Sequence, residues 1–167
     1  LECTENDVFV DVSSDERWAL FVRRHTAANT DIYLCDLNSN VLRNLTCHEG
    51  AIRYHSPCFD SKSECVFYSR CDDEPNTYVY CHELSTGQTH LARKIEGKCV
   101  SERLSFSGRY RVVMEQQGVR MTLSVYDSAK QQAIPLPAFA EGEIGCVTIS
   151  RTERLMAFYV NGDRAPN

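Results

Sequence analysis

The chain repeats itself at intervals of about 46 residues, and this period restricts the fold more than any other feature of the sequence. Apolar residues at the ends of short β-rich runs are separated by 46, 46 and 45 residues: Val12, Cys58, Leu104 and Ile149. The same register aligns the turn residues Ser13, Phe59, Ser105 and Ser150, and then Arg17, Ser63, Arg109 and Arg154. Each copy therefore begins with a strand, a tight polar turn and a second strand.

Short runs rich in Val, Tyr and Phe predict strands, and helical periodicity is scarce. These runs are Phe9–Val12, Ala19–Val22, Ile32–Cys35, Cys65–Tyr68, Tyr78–Cys81, Arg111–Met114, Leu123–Tyr126 and Leu155–Val160. The second halves repeat as well, since residues 29–37 match residues 76–84. Four antiparallel strands in about 46 residues is the size of one propeller blade. A β-sandwich has no reason to repeat at this interval, and helical repeats would show a 3.6-residue period.

The sequence predicts an all-β fold, a β-propeller fragment of about 3.5 four-stranded antiparallel blades. We expect blade 1 at about 8–46, blade 2 at about 54–92, blade 3 at about 100–137 and an incomplete blade 4 at about 145–167. Propellers close with about 4–8 blades. We therefore expect that the natural protein is longer or that another chain completes the circle, and that exposed terminal blade faces favour self-association.

Blade 1 resembles the TolB-like, WD40-like propeller repeat in its turn, its second strand, its Asp-Ile-Tyr-x-x-Asp-Leu segment and its closing Leu-Thr. The matching residues are Ser13 to Arg17, Ala19 to Phe21, Asp31 to Leu37, and Leu45-Thr46. The stretch from Ser150 through Ala157–Val160 to Pro166-Asn167 resembles propeller sequence of the prolyl-oligopeptidase (S9) family of serine peptidases. In that family, as the resemblance implies, the propeller caps a separate α/β-hydrolase domain, filters access by size and holds the substrate.

The resemblance implies a non-catalytic region that gates and positions substrate for a prolyl-oligopeptidase-like peptidase whose catalytic domain lies outside this chain. The alternative is a stand-alone TolB-like scaffold for protein–protein interaction. The expected partner is accordingly an α/β-hydrolase domain, in the same or a separate chain, or a protein or peptide ligand. No Gly-x-Ser-x-Gly nucleophile elbow occurs in the sequence. Ser13, Ser105 and Ser150 recur at the turn position, where a hydroxyl bonds nearby backbone groups, so we expect no catalytic residue and no cofactor.

Several histidines and cysteines invite a metal interpretation: His48, His55, His82 and His90, with Cys47, Cys58 and Cys81. His82 follows Cys81 on a strand, so their side chains point to opposite faces. His48 and His55 fall around the connection between blades 1 and 2 and could meet at a surface. We expect solvated or hydrogen-bonded histidines and no metal.

Three further motifs have a local interpretation beside a functional one. Asn44-Leu45-Thr46 fits the glycosylation sequon, but Leu45-Thr46 is also the closing pair of the repeat. The acidic segment 72–75 is predicted to be a hydrated loop, and the alternative is a loop that binds a cation. Arg23-Arg24 occupies the matching region of blade 1 and is a candidate contact for an acidic partner.

Nine cysteines in irregular positions, without a CxxC pair, exclude the common zinc-ribbon and thioredoxin-type motifs. We expect reduced thiols in a cytoplasmic protein, with a secreted, disulfide-bearing protein as the alternative. The net charge of −5 and the lack of phosphate-cradling glycine loops and basic-aromatic stripes argue against nucleic-acid binding. The longest apolar run, Leu155 to Val160, is far shorter than the roughly 20 residues needed to cross a bilayer, so no membrane association is expected.

Overall fold

The computed structural model describes residues 4–71, 76–96, 99–117, 120–138 and 142–161. Across these residues the regular secondary structure consists of strands. No helix in the described part of the chain has the length and apolar character needed to cross a membrane. The chain divides into two compact units, Leu1–Gly97 and Lys98–Asn167.

The first unit contains two antiparallel four-stranded meanders. Their strands are β1 (Asp7–Val12), β2 (Trp18–Thr26), β3 (Asn29–Asp36), β4 (Val41–Asn44), β5 (Arg53–Phe59), β6 (Cys65–Cys71), β7 (Thr77–Glu83) and β8 (Thr89–Ile95). A parallel bridge between Thr30 and Arg53 joins β3 to β5. The hydroxyl of Thr30 reinforces this junction by accepting the Tyr54 N–H and donating to the Tyr54 carbonyl.

The second unit contains a four-stranded sheet of order β12-β11-β10-β9 and a two-stranded sheet. Its strands are β9 (Cys99–Leu104), β10 (Tyr110–Gln117), β11 (Arg120–Asp127), β12 (Gln132–Ile134), β13 (Glu143–Ile149) and β14 (Met156–Asn161). We call β1–β4, β5–β8, β9–β12 and β13–β14 blades 1 to 4. Two four-stranded meanders joined in one sheet, a separate four-stranded sheet and a two-stranded one confirm the predicted all-β propeller fragment of about 3.5 blades.

Blade 2 departs by one residue from the predicted register. In each blade the last residue of the first strand opposes the residue seven positions later: Val12 with Ala19, Phe59 with Val66, Leu104 with Arg111, Ile149 with Met156. The predicted equivalence of Cys58 with Val12, and of Phe59 with Ser13, is therefore wrong by one residue. The physical reason is the length of the connection between blades. Residues 37–58, which lead into the end of the first strand of blade 2, are more numerous than the corresponding residues 84–103 before blade 3. Asp60 and Glu64 consequently take the places of Ser13 and Arg17.

The turn between the first two strands has one backbone form in all four blades. The backbone carbonyl of the first turn residue accepts the backbone N–H of the fourth. In blade 1 the Glu16 N–H donates to the Ser13 carbonyl at 3.0 Å. The fourth residue has a positive φ in every copy: Glu16 (58°), Ser63 (58°), Gly108 (74°) and Glu153 (56°). Glycine adopts this conformation most readily, and blade 3 alone carries it.

Alternate strand residues form the apolar core of each unit, as the two-residue period of a strand requires. The first unit buries Trp18, Leu20, Ile32, Leu34, Tyr54, Phe59, Val66 and Tyr68 in one cluster. The second unit buries Val112, Met114, Val125, Ile144 and Val147. Burial of one such aliphatic side chain stabilises the fold by about 1.5–3 kcal/mol. These clusters therefore hold in place the strands that carry the inter-strand turns.

Candidate functional site

A pocket of about 630 Å³ opens in the first unit, at the ends of blades 1 and 2 that carry the β1–β2 and β5–β6 turns. We call it the inter-blade pocket. Its walls come from both blades: Asp15, Arg17, Trp18, Arg43, Ser63, Glu64, Cys65, Glu83, Leu84 and Ser85. This volume lies within the range of about 300–1,000 Å³ that is typical of small-molecule sites.

The two turns that border the pocket are fixed by side-chain oxygens at their first positions. The Ser13 hydroxyl accepts the Trp18 N–H at 2.8 Å, and the Asp60 carboxylate accepts the Cys65 N–H at 2.8 Å. Ser105 and Ser150 repeat this bond in blades 3 and 4. The predicted turn role of these serines is confirmed, because each hydroxyl is held by a backbone amide five residues later.

A hydroxyl pair ties the turn of blade 1 to that of blade 2. The Ser63 Oγ lies 2.7 Å from the Ser14 Oγ and accepts the Ser14 N–H at 2.9 Å. The left-handed backbone of Ser63 directs its side chain toward the neighbouring blade. The pocket therefore has a fixed rim at this point.

An arginine–aspartate pair marks the same place in blades 1 and 3. Arg17 lies 3.4 Å from Asp36 and stacks over the Trp18 ring at 4.6 Å. In blade 3, Arg109 lies 3.0 Å from Asp127, and its hydrogen bonds hold the pKa of that carboxyl below its usual range. Each aspartate also accepts two backbone amides of the following turn.

Blade 2 places two glutamates at these positions, Glu64 for the arginine and Glu83 for the aspartate. The correspondence follows from the backbone, because Leu84 N–H donates to the Glu64 carbonyl as Leu37 N–H donates to that of Arg17. One Glu83 oxygen accepts the Thr86 hydroxyl at 2.9 Å, and the other lies 4.0 Å from His90 Nδ1. Among the described residues, no hydrogen bond or ion pair engages the Glu64 carboxylate.

Arg43 is the second charge of the pocket that lacks a partner within the described part of the chain. It projects from β4, whose backbone pairs with β3 at Leu34. The pocket thus combines an unpaired cation from blade 1 with an unpaired anion from blade 2. Such an arrangement suits a ligand that carries charges of both signs.

The thiol that lines the pocket is a poor nucleophile. Burial raises the pKa of Cys65 to about 12, and the neighbouring thiol of Cys81 contributes to the same rise. Burial also raises the pKa of Cys81. A thiol reacts as its thiolate, so Cys65 is unreactive near neutral pH.

The histidines have separate local partners. His48 Nδ1 lies 2.8 Å from the Thr46 carbonyl and 3.1 Å from Asp31, whereas His55 Nε2 lies 3.3 Å from the Cys71 sulfur. Nδ1 of His82 lies 2.8 Å from the hydroxyl of Thr89. Within the described residues no group of three or more His, Cys, Asp or Glu side chains could hold a metal ion.

His55 also contacts the Ser56 hydroxyl at 3.1 Å through Nδ1, but its other ring nitrogen lies against the Cys71 sulfur and not against an orienting carboxylate. Burial lowers the pKa of His55 to about 4, with the nearby charge of Arg53 acting in the same direction. A base with so low a pKa takes a hydroxyl proton poorly near neutral pH.

The other motifs from the sequence have these structural settings. Arg23 is not available to an acidic partner, because Asp7 holds its guanidinium at 2.7 and 2.8 Å, whereas Arg24 is exposed. In the sequon, the side-chain amide oxygen of Asn44 accepts the Thr46 N–H at 2.8 Å. The acidic segment 72–75 lies outside the described residues.

The inter-blade pocket was not found by sequence reasoning. The signal for it was present, because two glutamates replace an Arg–Asp pair of the repeat. The predicted register aligned Ser63 with Arg17 and so concealed the substitution at Glu64. The network around Asp31, which joins His25, Thr46 and His48, was missed as well because its members come from three separate segments.

Comparisons with known proteins identify the fold. No protein-family model matches the chain, and no curated protein matches it in sequence. Among solved structures, TolB from Acinetobacter baumannii is 18% identical with a TM-score of 0.72, over 95% of this chain and 39% of TolB. A putative TolB from Agrobacterium tumefaciens is 13% identical with a TM-score of 0.67, over 93% of this chain and 55% of that protein.

A structure from a study of two prolyl endopeptidases is 11% identical with a TM-score of 0.56, over 93% of this chain and 26% of that one. The chain therefore spans well under two thirds of these structures. At these identities the similarity lies in the fold, which is that of TolB-like propellers and of propeller-containing peptidases.

Proposed function

We propose that the chain is a non-catalytic propeller region that binds peptide in the inter-blade pocket. Its role is to gate and position substrate for a prolyl-oligopeptidase-like serine peptidase whose catalytic domain lies outside this chain. The observation that carries the proposal is the pocket itself, which combines charged groups of both signs with apolar lining at Leu84. The fold similarity to a prolyl endopeptidase supports the same role.

The chemistry of the described residues favours binding over catalysis. The hydroxyl groups of Ser13, Ser105 and Ser150 already accept backbone amides. The pocket thiol of Cys65 stays protonated near neutral pH, since burial raises its pKa to about 12. A hydrolase triad needs nucleophile, base and orienting acid within hydrogen-bond reach, and the described part of the pocket lining contains no histidine.

A stand-alone TolB-like scaffold is the second candidate. The specific observation in its favour is the fold similarity to two TolB structures, with TM-scores of 0.72 and 0.67. A cytoplasmic location with reduced thiols belongs to both versions of the proposal.

Calorimetric titration of the purified chain with a pool of short peptides tests the proposal. We expect saturable binding that Ser85→Tyr abolishes, because the larger side chain occupies the space that the peptide needs. Ala129→Tyr is the matched control, since Ala129 is exposed at the corresponding turn of blade 3. Absence of binding, or equal loss in both variants, would contradict a peptide site in this pocket.

The coding sequence beyond Asn167 separates the two roles. Further blades followed by a Gly-x-Ser-x-Gly segment support the peptidase role, because that elbow exposes a nucleophilic serine. A stop codon directly after the closing blade supports the scaffold.

A further inference from the structure

We propose that the inter-blade pocket selects dipolar peptides, with an ammonium or guanidinium group beside Glu64 and Glu83 and a carboxylate beside Arg43. This selectivity rests on the proposed function, because it specifies which peptides the pocket accepts. The charged groups of the ligand come either from side chains or from free peptide ends, which share the same chemistry.

Blade 2 differs from blades 1 and 3 in the charge that it carries at two equivalent positions. Blades 1 and 3 neutralise the carboxylates of Asp36 and Asp127 with Arg17 and Arg109. Blade 2 has glutamate at both equivalent places, and among its described residues only His90, with Nδ1 4.0 Å from Glu83, places a basic group within ion-pair distance of either carboxylate. Two carboxylates are therefore presented to the pocket without the arginine that balances the other copies.

The Glu83 carboxylate accepts fewer hydrogen bonds from its own turn than Asp36 and Asp127 accept from theirs. Asp36 Oδ1 accepts the Asn38 and Ser39 amides at 2.9 and 3.2 Å. Glu83 instead accepts one hydroxyl, from Thr86, and its side chain remains 40% exposed. Lone pairs of this carboxylate remain accessible to a cationic ligand group.

Arg43 of blade 1 supplies a cation to the pocket. Arg17, the other pocket arginine, is paired with Asp36, but Arg43 has no ion-pair partner among the described residues. A guanidinium binds a carboxylate through two parallel hydrogen bonds, which gives direction as well as attraction. Arg43 and Glu64 thus provide the two poles of one pocket, and a ligand of opposite polarity satisfies both.

The pocket has room for this ligand. Its volume of about 630 Å³ exceeds that of a single side chain and suits a short peptide segment. Leu84, a half-buried residue of the lining, provides apolar surface for the part of the peptide between the two charged groups. We expect each charged contact to change the affinity about tenfold.

Calorimetry with blocked pentapeptides provides the test. N-acetyl-Ala-Lys-Ala-Asp-Ala-amide and its Asp/Lys-exchanged isomer are compared with N-acetyl-Ala-Gln-Ala-Asn-Ala-amide on the wild-type chain. Trialanine with free ends, and the same tripeptide acetylated and amidated, shows whether peptide termini provide the charges. We expect dipolar peptides to bind at least tenfold more tightly than their neutral partners.

Variants assign each pole. Glu64→Gln should abolish the preference for the cationic group and Arg43→Gln the preference for the carboxylate, each with a loss of about tenfold. Glu49→Gln and Arg24→Gln are the matched controls, because both residues are exposed and outside the pocket lining. Unchanged urea midpoints show that the variants remain folded.

The binding data distinguish dipolar selection from peptide binding itself. If neutral and dipolar peptides bind equally, or Glu64→Gln behaves like Glu49→Gln, dipolar selection is wrong while peptide binding stands. If no peptide binds the wild-type chain, the proposed function fails and the selectivity fails with it.

Discussion

Replacing Ser13 with alanine should destabilise the first unit by about 2 kcal/mol. Ser13 is fully buried, and its hydroxyl accepts the Trp18 N–H at 2.8 Å while lying 2.5 Å from an Asp15 oxygen. Alanine leaves the Trp18 amide without its acceptor at a site that water does not reach. A buried donor left unsatisfied costs about 1–3 kcal/mol.

Ser150→Ala is the matched control for this prediction. Ser150 has the same turn position and accepts the Leu155 N–H at 3.2 Å, but this bond is exposed. Water replaces the hydroxyl there, so we expect a change below about 0.5 kcal/mol. The two variants therefore remove the same chemical group from buried and exposed copies of one turn.

Urea unfolding measures both effects. Trp18 is the single tryptophan of the chain and is buried, so its fluorescence reports on the first unit. Circular dichroism follows the whole chain. With a denaturant slope of about 2 kcal/mol per molar urea, Ser13→Ala should lower the midpoint by about 1 M. A shift as small as that of Ser150→Ala would refute the role of the hydroxyl in the buried turn.

Four further predictions concern the pH dependence of stability, the reactivity and number of free thiols, and catalysis. Burial lowers the pKa of His55 to about 4. The unfolded state therefore takes up a proton at this histidine below about pH 6.5, whereas the folded state does not. The free energy of unfolding should fall by up to about 3 kcal/mol as the pH drops from 6.5 toward 4. His55→Asn should flatten this part of the pH–stability profile. Near neutral pH a thiol reagent should modify exposed Cys47 before Cys65, whose pKa burial raises to about 12, as peptide mapping would show. Of the nine cysteines, at least seven should titrate as free thiols when the chain is denatured without reducing agent. A count of one free thiol would instead mean four disulfide bridges. The chain should hydrolyse neither fluorogenic prolyl peptides nor p-nitrophenyl esters, and turnover that a single Ser→Ala change abolishes would overturn this expectation.

The blade repeat was predictable from sequence because its turn and strand chemistry recurs locally. Ser13, Ser105 and Ser150 mark each turn with a residue whose hydroxyl caps the following strand. Asp60 performs the same task with a carboxylate, so a search for similar residue types placed blade 2 one position too early. Hydrogen-bond geometry, rather than residue identity, defines that position.

The candidate site was harder to predict because it depends on contacts between distant segments. Arg23 looks available in the sequence, but β1–β2 pairing sets it opposite Asp7, which occupies its guanidinium. Arg43 and Glu64 come from different blades, and nothing local to either residue indicates a shared pocket. Sequence periodicity determines which face of a strand a residue occupies, but not which charges meet across two blades.

A crystal structure of the chain with N-acetyl-Ala-Lys-Ala-Asp-Ala-amide tests the central claim most directly. We predict an intact peptide in the inter-blade pocket, with its lysine beside Glu64 and its aspartate beside Arg43. A peptide bound elsewhere on the chain, or one found cleaved, would contradict a non-catalytic peptide site between blades 1 and 2.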